Sequence, residues 1–302
     1  MSNIQQSRFA KALVVGANGQ LAQSIMRNAP IGVQCVPLTR NELNIADEMA
    51  VYRVLEEHQP DCVINGAAYN LVDKAEGDGA AGAIEINTLG VANLARACRD
   101  ANVPLVHFST DYVFNGQKQT PYVETDATGP LSIYAASKLA GENITLACSP
   151  NNFAIRVCRL FGPTHADGAG SLKKPSGNFP LLMLRLAREH GKVRVVNDQI
   201  GTPTYTPDLA RGVWQLIENA SGGLFHLSNG GEVAFDEYSR AIFEIAGVEC
   251  EVEGITTQEY GAAAARPLYS TLSNDKAHLA GVVPLRHWKE ALREFLNEHG
   301  EN

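Results

Sequence analysis

Ala12-Leu13-Val14-Val15-Gly16-Ala17-Asn18-Gly19-Gln20-Leu21-Ala22 joins a short apolar run to a glycine turn and then to a helical pattern. Residues 12–15 read as a buried strand, and a helix begins at about Gln20. A tight turn at such a junction lets the backbone approach a pyrophosphate at the helix N-terminus, where free N–H groups and the helix dipole favour an anion. The glycine spacing is GxxGxxA, not GxGxxG. Any strand–helix turn can carry two glycines; the place of this one after the first strand is what points to a nucleotide.

The alternation continues outward from the turn. Strands are expected at 33–38, 62–65, 104–109 and 153–158. Between them come helices from Asp47, a plausible N-cap, over 80–100 with Ile84, Thr88, Val91 and Ala95 on one face, and over 132–148. Strand–helix alternation implies right-handed crossovers and an α/β fold, a doubly wound parallel sheet of Rossmann type. This NAD(P)-binding domain is placed at 9–158. Residues 159–302 are read as a smaller, mainly substrate-binding domain, with segments near 193–228 returning to the first sheet. There, 162–178 is expected to be a loop, with short strands at 193–196 and 224–227.

Composition narrows the function. The chain has 302 residues, 45% of them hydrophobic and 19% charged, as in a soluble globular enzyme. Lys+Arg 25 against Asp+Glu 33 gives a net charge of −8, which does not suit a protein that wraps nucleic acid. No run of about 18 apolar residues predicts a membrane span, and the polar first ten residues do not read as a signal peptide. Cys35, Cys62, Cys98, Cys148, Cys158 and Cys250 are scattered without a CxxC, and there is no HExxH. A cytoplasmic protein with reduced thiols and no structural metal is expected.

The chemistry gathers further along. Tyr134-Ala-Ala-Ser-Lys138 sets a tyrosine and a lysine at i and i+4, on one helix face. A nearby ammonium is expected to lower the phenol from its usual ~10 and fit it for proton transfer. Phe108-Ser-Thr-Asp-Tyr-Val-Phe114 ends the fourth strand, and ligands of open α/β sheets bind at carboxyl ends of strands, so Thr110 can meet that pair across a cleft. The second strand ends in Pro37-Leu38-Thr39-Arg40, without the acid that would hold a ribose 2′-hydroxyl. Arg40 leans the choice between NADPH and NADH towards NADPH, a solvated surface arginine being the alternative.

The segment STDYVFNGQKQTPYVETDATGPLSIYAASKLAGE, with GANGQL, INGAAYNLVDKAE, NFPLLMLRLA, VVNDQIGTPTYTPDLA and ARPLYSTL, resembles dTDP-4-dehydrorhamnose reductase, an extended-type short-chain dehydrogenase/reductase. The resemblance runs from Ala10 to Leu296. It implies that Thr110 hydrogen-bonds a sugar carbonyl, Tyr134 protonates its oxygen and Lys138 binds the nicotinamide ribose while tuning Tyr134. It places Gly16, Gly19, Gln20 and Leu21 against the cofactor diphosphate, Asn44 and Ile45 on the adenine side, and Ala67, Ala68 and Tyr69 along the cofactor. Asp111 then contacts the sugar. Asn178 and Arg266 are candidates for the substrate diphosphate, with helix capping and a surface ion pair as their alternatives. The implied reaction reduces the 4-keto group of a nucleotide-linked 4-keto-6-deoxy sugar, dTDP-4-dehydrorhamnose to dTDP-rhamnose.

Departures from the family pattern lie mostly on the substrate side. Arg159 stands where the family has a Trp that packs against the sugar. It is read as a substrate contact that shifts sugar preference, with solvent or a loop acid such as Asp167 as its alternative partner. The loop 163–177 is longer than the family's. Asn44-Ile45 replaces an Asp-apolar pair. Ser24 replaces an acid, which leaves magnesium and a homodimer open. Two other functions share the fold: a nucleotide-sugar epimerase or dehydratase with tightly held NAD, and a non-catalytic NADP-binding subunit like that of methionine adenosyltransferase.

Overall fold

The structure is a computed structural model and describes residues 7–163 and 178–301. Its first half runs β1 Lys11–Val15, α1 Gln20–Arg27, β2 Gln34–Leu38, α2 Glu48–His58, β3 Cys62–Asn65, α3 Ala80–Ile84, α4 Val91–Asp100, β4 Leu105–Thr110, α5 Ile133–Cys148 and β5 Phe153–Val157. The second half adds β6 Leu160–Phe161, α6 Phe179–His190, β7 Lys192–Val196, β8 Ile200–Gly201, β9 Thr204–Tyr205, α7 Thr206–Asn219, β10 Gly223–His226, β11 Val233–Ala234, α8 Phe235–Ile245, β12 Glu251–Ile255, α9 Thr257–Tyr260, α10 Asp275–Leu279 and α11 Trp288–Glu298.

Six strands form one parallel sheet in the order β10-β5-β4-β3-β1-β2. Strands β3 and β4 are buried at every residue, as expected for a parallel sheet covered on both faces. One apolar cluster, with Ile25, Ile64, Phe153 and Trp214, covers one face; another, with Val51, Leu55, Val63 and Leu94, covers the other. The strand order reverses between β1 and β3, which opens a crevice at their carboxyl ends.

Asp47 caps α2 as expected, accepting from the Ala50 N–H at 3.0 Å. The helix over 80–100 carries a surprise: a π-helical turn, Glu85–Gly90, separates α3 from α4. The extra residue shifts the helix phase, so Val91 and Ala95 are buried while Ile84 is 47% exposed, off the face the periodicity assigned to it. Gly141 of α5 seats against this turn; a Cβ there would lie 2.2 Å from the Asn87 carbonyl oxygen.

The segments near 193–228 divide. Gly223–His226 pairs with β5 in the six-stranded sheet, because α7 packs on α1 and donates the Trp214 indole N–H to the Ile25 carbonyl at 2.9 Å. Lys192–Val196 does not return. It pairs in parallel with β12, and Val193 and Val195 join a second core with Leu184, Ile242 and Phe295. The loop expected at 163–177 falls, beyond Pro163, outside the described residues.

Candidate active site

The glycine turn is shaped by backbone proximity. Gly16 has φ +72°, and a Cβ on it would lie 2.6 Å from the Ala67 nitrogen, so only glycine fits where β1 meets the segment after β3. Gly19 has an ordinary extended backbone, and a Cβ there would meet the Gly16 carbonyl oxygen at 3.2 Å and the Gly66 carbonyl oxygen at 4.0 Å. Gly19 caps α1 without a side-chain hydrogen bond, and the first turn of α1 has no acid. The helix therefore presents its free N–H groups to an anion. Gln20 has a buried Oε1 with no partner among the described residues, whereas Leu21 is core and offers the site only its backbone. Ala22 fits the third position because Gly66 faces it; a Cβ on Gly66 would lie 3.1 Å from that of Ala22. These features suit a dinucleotide diphosphate.

The wall after β3 is held from two sides. Asn65 accepts the Ala67 N–H at 3.0 Å. Asn87, in the π turn, accepts the Tyr69 N–H at 2.8 Å, and its amide donates to the Tyr69 carbonyl and the Ser137 hydroxyl, each at 3.1 Å. The backbone from Ala67 through Ala68 to Tyr69, expected along the cofactor, is thus held at both ends. Asn87 was not expected from sequence, because nothing in the residue pattern announces a π turn.

Thr110 ends β4, and its hydroxyl faces the Tyr134 phenol. Ser132 caps α5 by accepting the Ala135 N–H at 3.2 Å, which starts the helix so that Tyr134 and Lys138 both turn towards β4. Tyr134 is 9% exposed, with Tyr112 edge-on to its ring at 6.3 Å. Burial pushes its phenol up; Asp111 and Tyr112 add to that, and the Thr110 hydroxyl opposes it. The expected lowering by Lys138 is not what the structure shows. The Lys138 ammonium donates to the Phe108 carbonyl, and burial of the phenol dominates. Tyr134 is therefore a neutral phenol, the form that can give up a proton. Burial lowers Lys138 to about 8, with Glu142 one turn on opposing.

Several expected contacts are occupied elsewhere. Asp111 is buried and accepts from the Thr110 hydroxyl and the Cys158 thiol, each at 3.1 Å, so it faces inward and not towards a sugar. The Arg159 guanidinium donates to the Val233 and Gln199 carbonyls, both at 2.9 Å, and lies 3.8 Å from the centre of the Phe235 ring. It clamps β8 and β11 together at the mouth of the sheet; Asp167 lies outside the described residues. Asn178 is the N-cap of α6, accepting from Leu181 N–H and donating to the Gly162 carbonyl at 2.9 Å. Arg266 forms a two-pronged ion pair with Asp73 at 2.9 and 2.7 Å. For both residues the structure places the alternative reading, capping and ion pairing.

Of the two residues expected on the adenine side, Asn44 is exposed, while Ile45 is a core residue, 2% exposed, packed under Gly90. Arg40 is exposed just beyond β2. Ser24 is buried and donates to the Thr206 hydroxyl at 2.8 Å. Among the described residues, no three His, Cys, Asp or Glu side chains gather as a metal site, and no helix is long and apolar enough to cross a membrane.

The RmlD substrate binding domain model matches residues 10–300. The chain is 40% identical over 291 residues to the spore coat polysaccharide biosynthesis protein SpsK of Bacillus subtilis (strain 168), covering 96% of this chain and 98% of that protein. It is 37% identical to a dTDP-4-dehydrorhamnose reductase of Mycolicibacterium smegmatis, covering 94% and 84% of the two chains. The solved dTDP-4-dehydrorhamnose reductase of Bacillus anthracis in complex with NADP superposes with a TM-score of 0.88 at 34% identity, covering 96% of this chain and 99% of that one.

Proposed function

From the premise that the chain belongs to the RmlD substrate binding domain family, that of dTDP-4-dehydrorhamnose reductases, we propose that it reduces the 4-keto group of dTDP-4-dehydrorhamnose to give dTDP-rhamnose. It is an NAD(P)H-dependent oxidoreductase acting on a sugar nucleotide. The observation that carries the finer reading is the convergence of Thr110 at the end of β4, the buried Tyr134 and the buried Lys138 at the carboxyl edge of the sheet that also holds the glycine turn.

When bound, the nicotinamide supplies the hydride. The chain's own residues do the rest. The turn Gly16–Leu21 holds the diphosphate on backbone N–H groups, and Ala67, Ala68 and Tyr69 form the cofactor wall. Lys138 reaches the nicotinamide ribose. Thr110 hydrogen-bonds the keto oxygen and stabilises the charge that develops on it. Tyr134, kept neutral by burial, delivers the proton to that oxygen. Arg40 meets a 2′-phosphate and favours NADPH. Asn44 borders the adenine, with Ile45 beneath it. Asp111, Arg159, Asn178 and Arg266 shape the substrate wall from behind.

The test is oxidation of NADPH, followed by absorbance, on a panel of nucleotide-linked 4-keto sugars. The expected result is the highest kcat/KM for dTDP-4-dehydrorhamnose, with NADPH preferred over NADH. A higher value for another 4-keto sugar overturns the substrate, and a clear preference for NADH removes Arg40 from the phosphate role.

A further inference from the structure

Cys158 is the residue immediately after β5 and is fully buried. Its sulfur accepts the Thr202 N–H at 3.3 Å and its thiol donates to Asp111 Oδ2 at 3.1 Å. Asp111 Oδ1 accepts from the Thr110 hydroxyl at 3.1 Å, and Ser270 beside the same carboxyl group opposes the upward push of burial on it. Three segments distant in sequence thus meet on one carboxyl directly behind the hydroxyl assigned to the keto oxygen.

The count of protons at Thr110 gives this arrangement a consequence. A threonine hydroxyl has one proton and two lone pairs. Oγ1 accepts the Tyr112 N–H at 3.2 Å and donates to Asp111 at 3.1 Å. Its single proton cannot be on Asp111 and on a sugar carbonyl at once. The more strongly Asp111 attracts that proton, the less Thr110 offers the substrate. Every other donor to Asp111 weakens that attraction.

We propose that Cys158 is a positioning residue for the reduction: its thiol proton, donated to Asp111, releases the Thr110 hydroxyl towards the keto oxygen. The inference rests on the reductase reading above. Burial pushes the Cys158 thiol well up, so it keeps the proton it donates. The other titratable groups facing Asp111 are Tyr112, Tyr134 and Arg159. Through Thr202 the sulfur also ties Asp111 to the strands around β8 and β9.

The experiment compares Cys158→Ala and Cys158→Ser with wild type for kcat, KM and the pH profile of kcat, using NADPH and the preferred 4-keto sugar. Serine keeps a donor and an acceptor at the position; alanine keeps neither. Cys158→Ala is expected to lower kcat about tenfold, the scale of one hydrogen bond, with KM for NADPH unchanged and the loss shrinking towards acid pH, where a protonated Asp111 no longer holds the Thr110 proton. Cys158→Ser is expected to restore kcat and its pH profile. A wild-type kcat and pH profile in the alanine variant overturns the proposal, as does a serine variant no better than alanine. Infrared spectroscopy gives a reading independent of turnover: the S–H stretch lost in Cys158→Ser should lie at lower frequency in wild type than in Asp111→Asn, and equal frequencies would show that the thiol does not donate to Asp111. Wild type without turnover on the whole sugar panel overturns the reductase reading, whereas an active wild type matched by Cys158→Ala overturns this inference alone.

Discussion

Replacing Lys138 with methionine should inactivate the protein and also stabilise it. Lys138 is 3% exposed, and burial lowers its ammonium from the ordinary 10.5 to about 8. At ~1.4 kcal/mol per pH unit, holding it charged costs the folded state about 3 kcal/mol at neutral pH. Methionine keeps the length and apolar stem of the side chain. It loses the hydrogen bond to the Phe108 carbonyl, about 1 kcal/mol net. The balance is a gain of about 2 kcal/mol, or roughly 3–5 °C in Tm for a chain of this size. The pH dependence has a definite sign. The folded-state pKa is the lower one, so between about 8 and 10.5 the unfolded chain binds more protons and wild-type stability rises relative to the variant. The Tm gap should be widest below pH 8 and narrow towards pH 10. Thermal unfolding without cofactor, across that range, is the assay. A variant less stable than wild type at neutral pH, or a gap that ignores pH, would refute the reasoning.

Tyr134→Phe should lower kcat by about 10²–10⁴, the range for a lost general acid, with NADPH affinity almost unchanged; steady-state kinetics with a cofactor titration checks both. Gly16→Val and Gly19→Val should part company. The first should destabilise the fold by roughly 2 kcal/mol or more, because its Cβ meets the Ala67 backbone at a positive φ. The second should fold normally by circular dichroism and fail to bind cofactor by fluorescence; equal behaviour of the pair would contradict the described turn. Glu142→Ala leaves Arg156, 3% exposed, without its two-pronged partner and should cost about 3–5 kcal/mol in denaturant unfolding. Adding Arg156→Met should recover part of that loss, and no recovery would point to lost packing.

The legible parts of the site were those whose geometry is local. Tyr134 and Lys138 are one helical turn apart, and Thr110 ends a strand, so sequence spacing alone places them. The glycine turn is equally local. Arg266 shows the opposite case: its partner Asp73 is 193 residues away, and nothing in the neighbourhood of Arg266 names it. Arg159 has a long side chain whose direction depends on β8 and β11 arriving beside it, and these are two-residue strands with little periodic signal. The alternation at 193–196 announces a strand but not its partner, which is β12 and not the main sheet. Nor does the sequence name the partners of Cys158 and Asn87, which lie 47 and 50 residues away, at Asp111 and Ser137. The phenol of Tyr134 shows the same limit: spacing reveals the nearby charge but not the depth of burial.

The sixth strand of the main sheet has a consequence while the chain is being synthesised. β5 ends at Val157, but its outer neighbour β10 begins only at Gly223. At ~5–20 residues per second, the ribosome takes several seconds to supply it. During that interval β5 has an open edge with unpaired backbone groups. Arg156, already able to find Glu142, still lacks His226, its third contact, 70 residues downstream. A chain stopped at residue 158 should therefore self-associate, and sedimentation of that fragment would show it. The half that holds the glycine turn and α5 thus depends on the half that follows to complete its sheet.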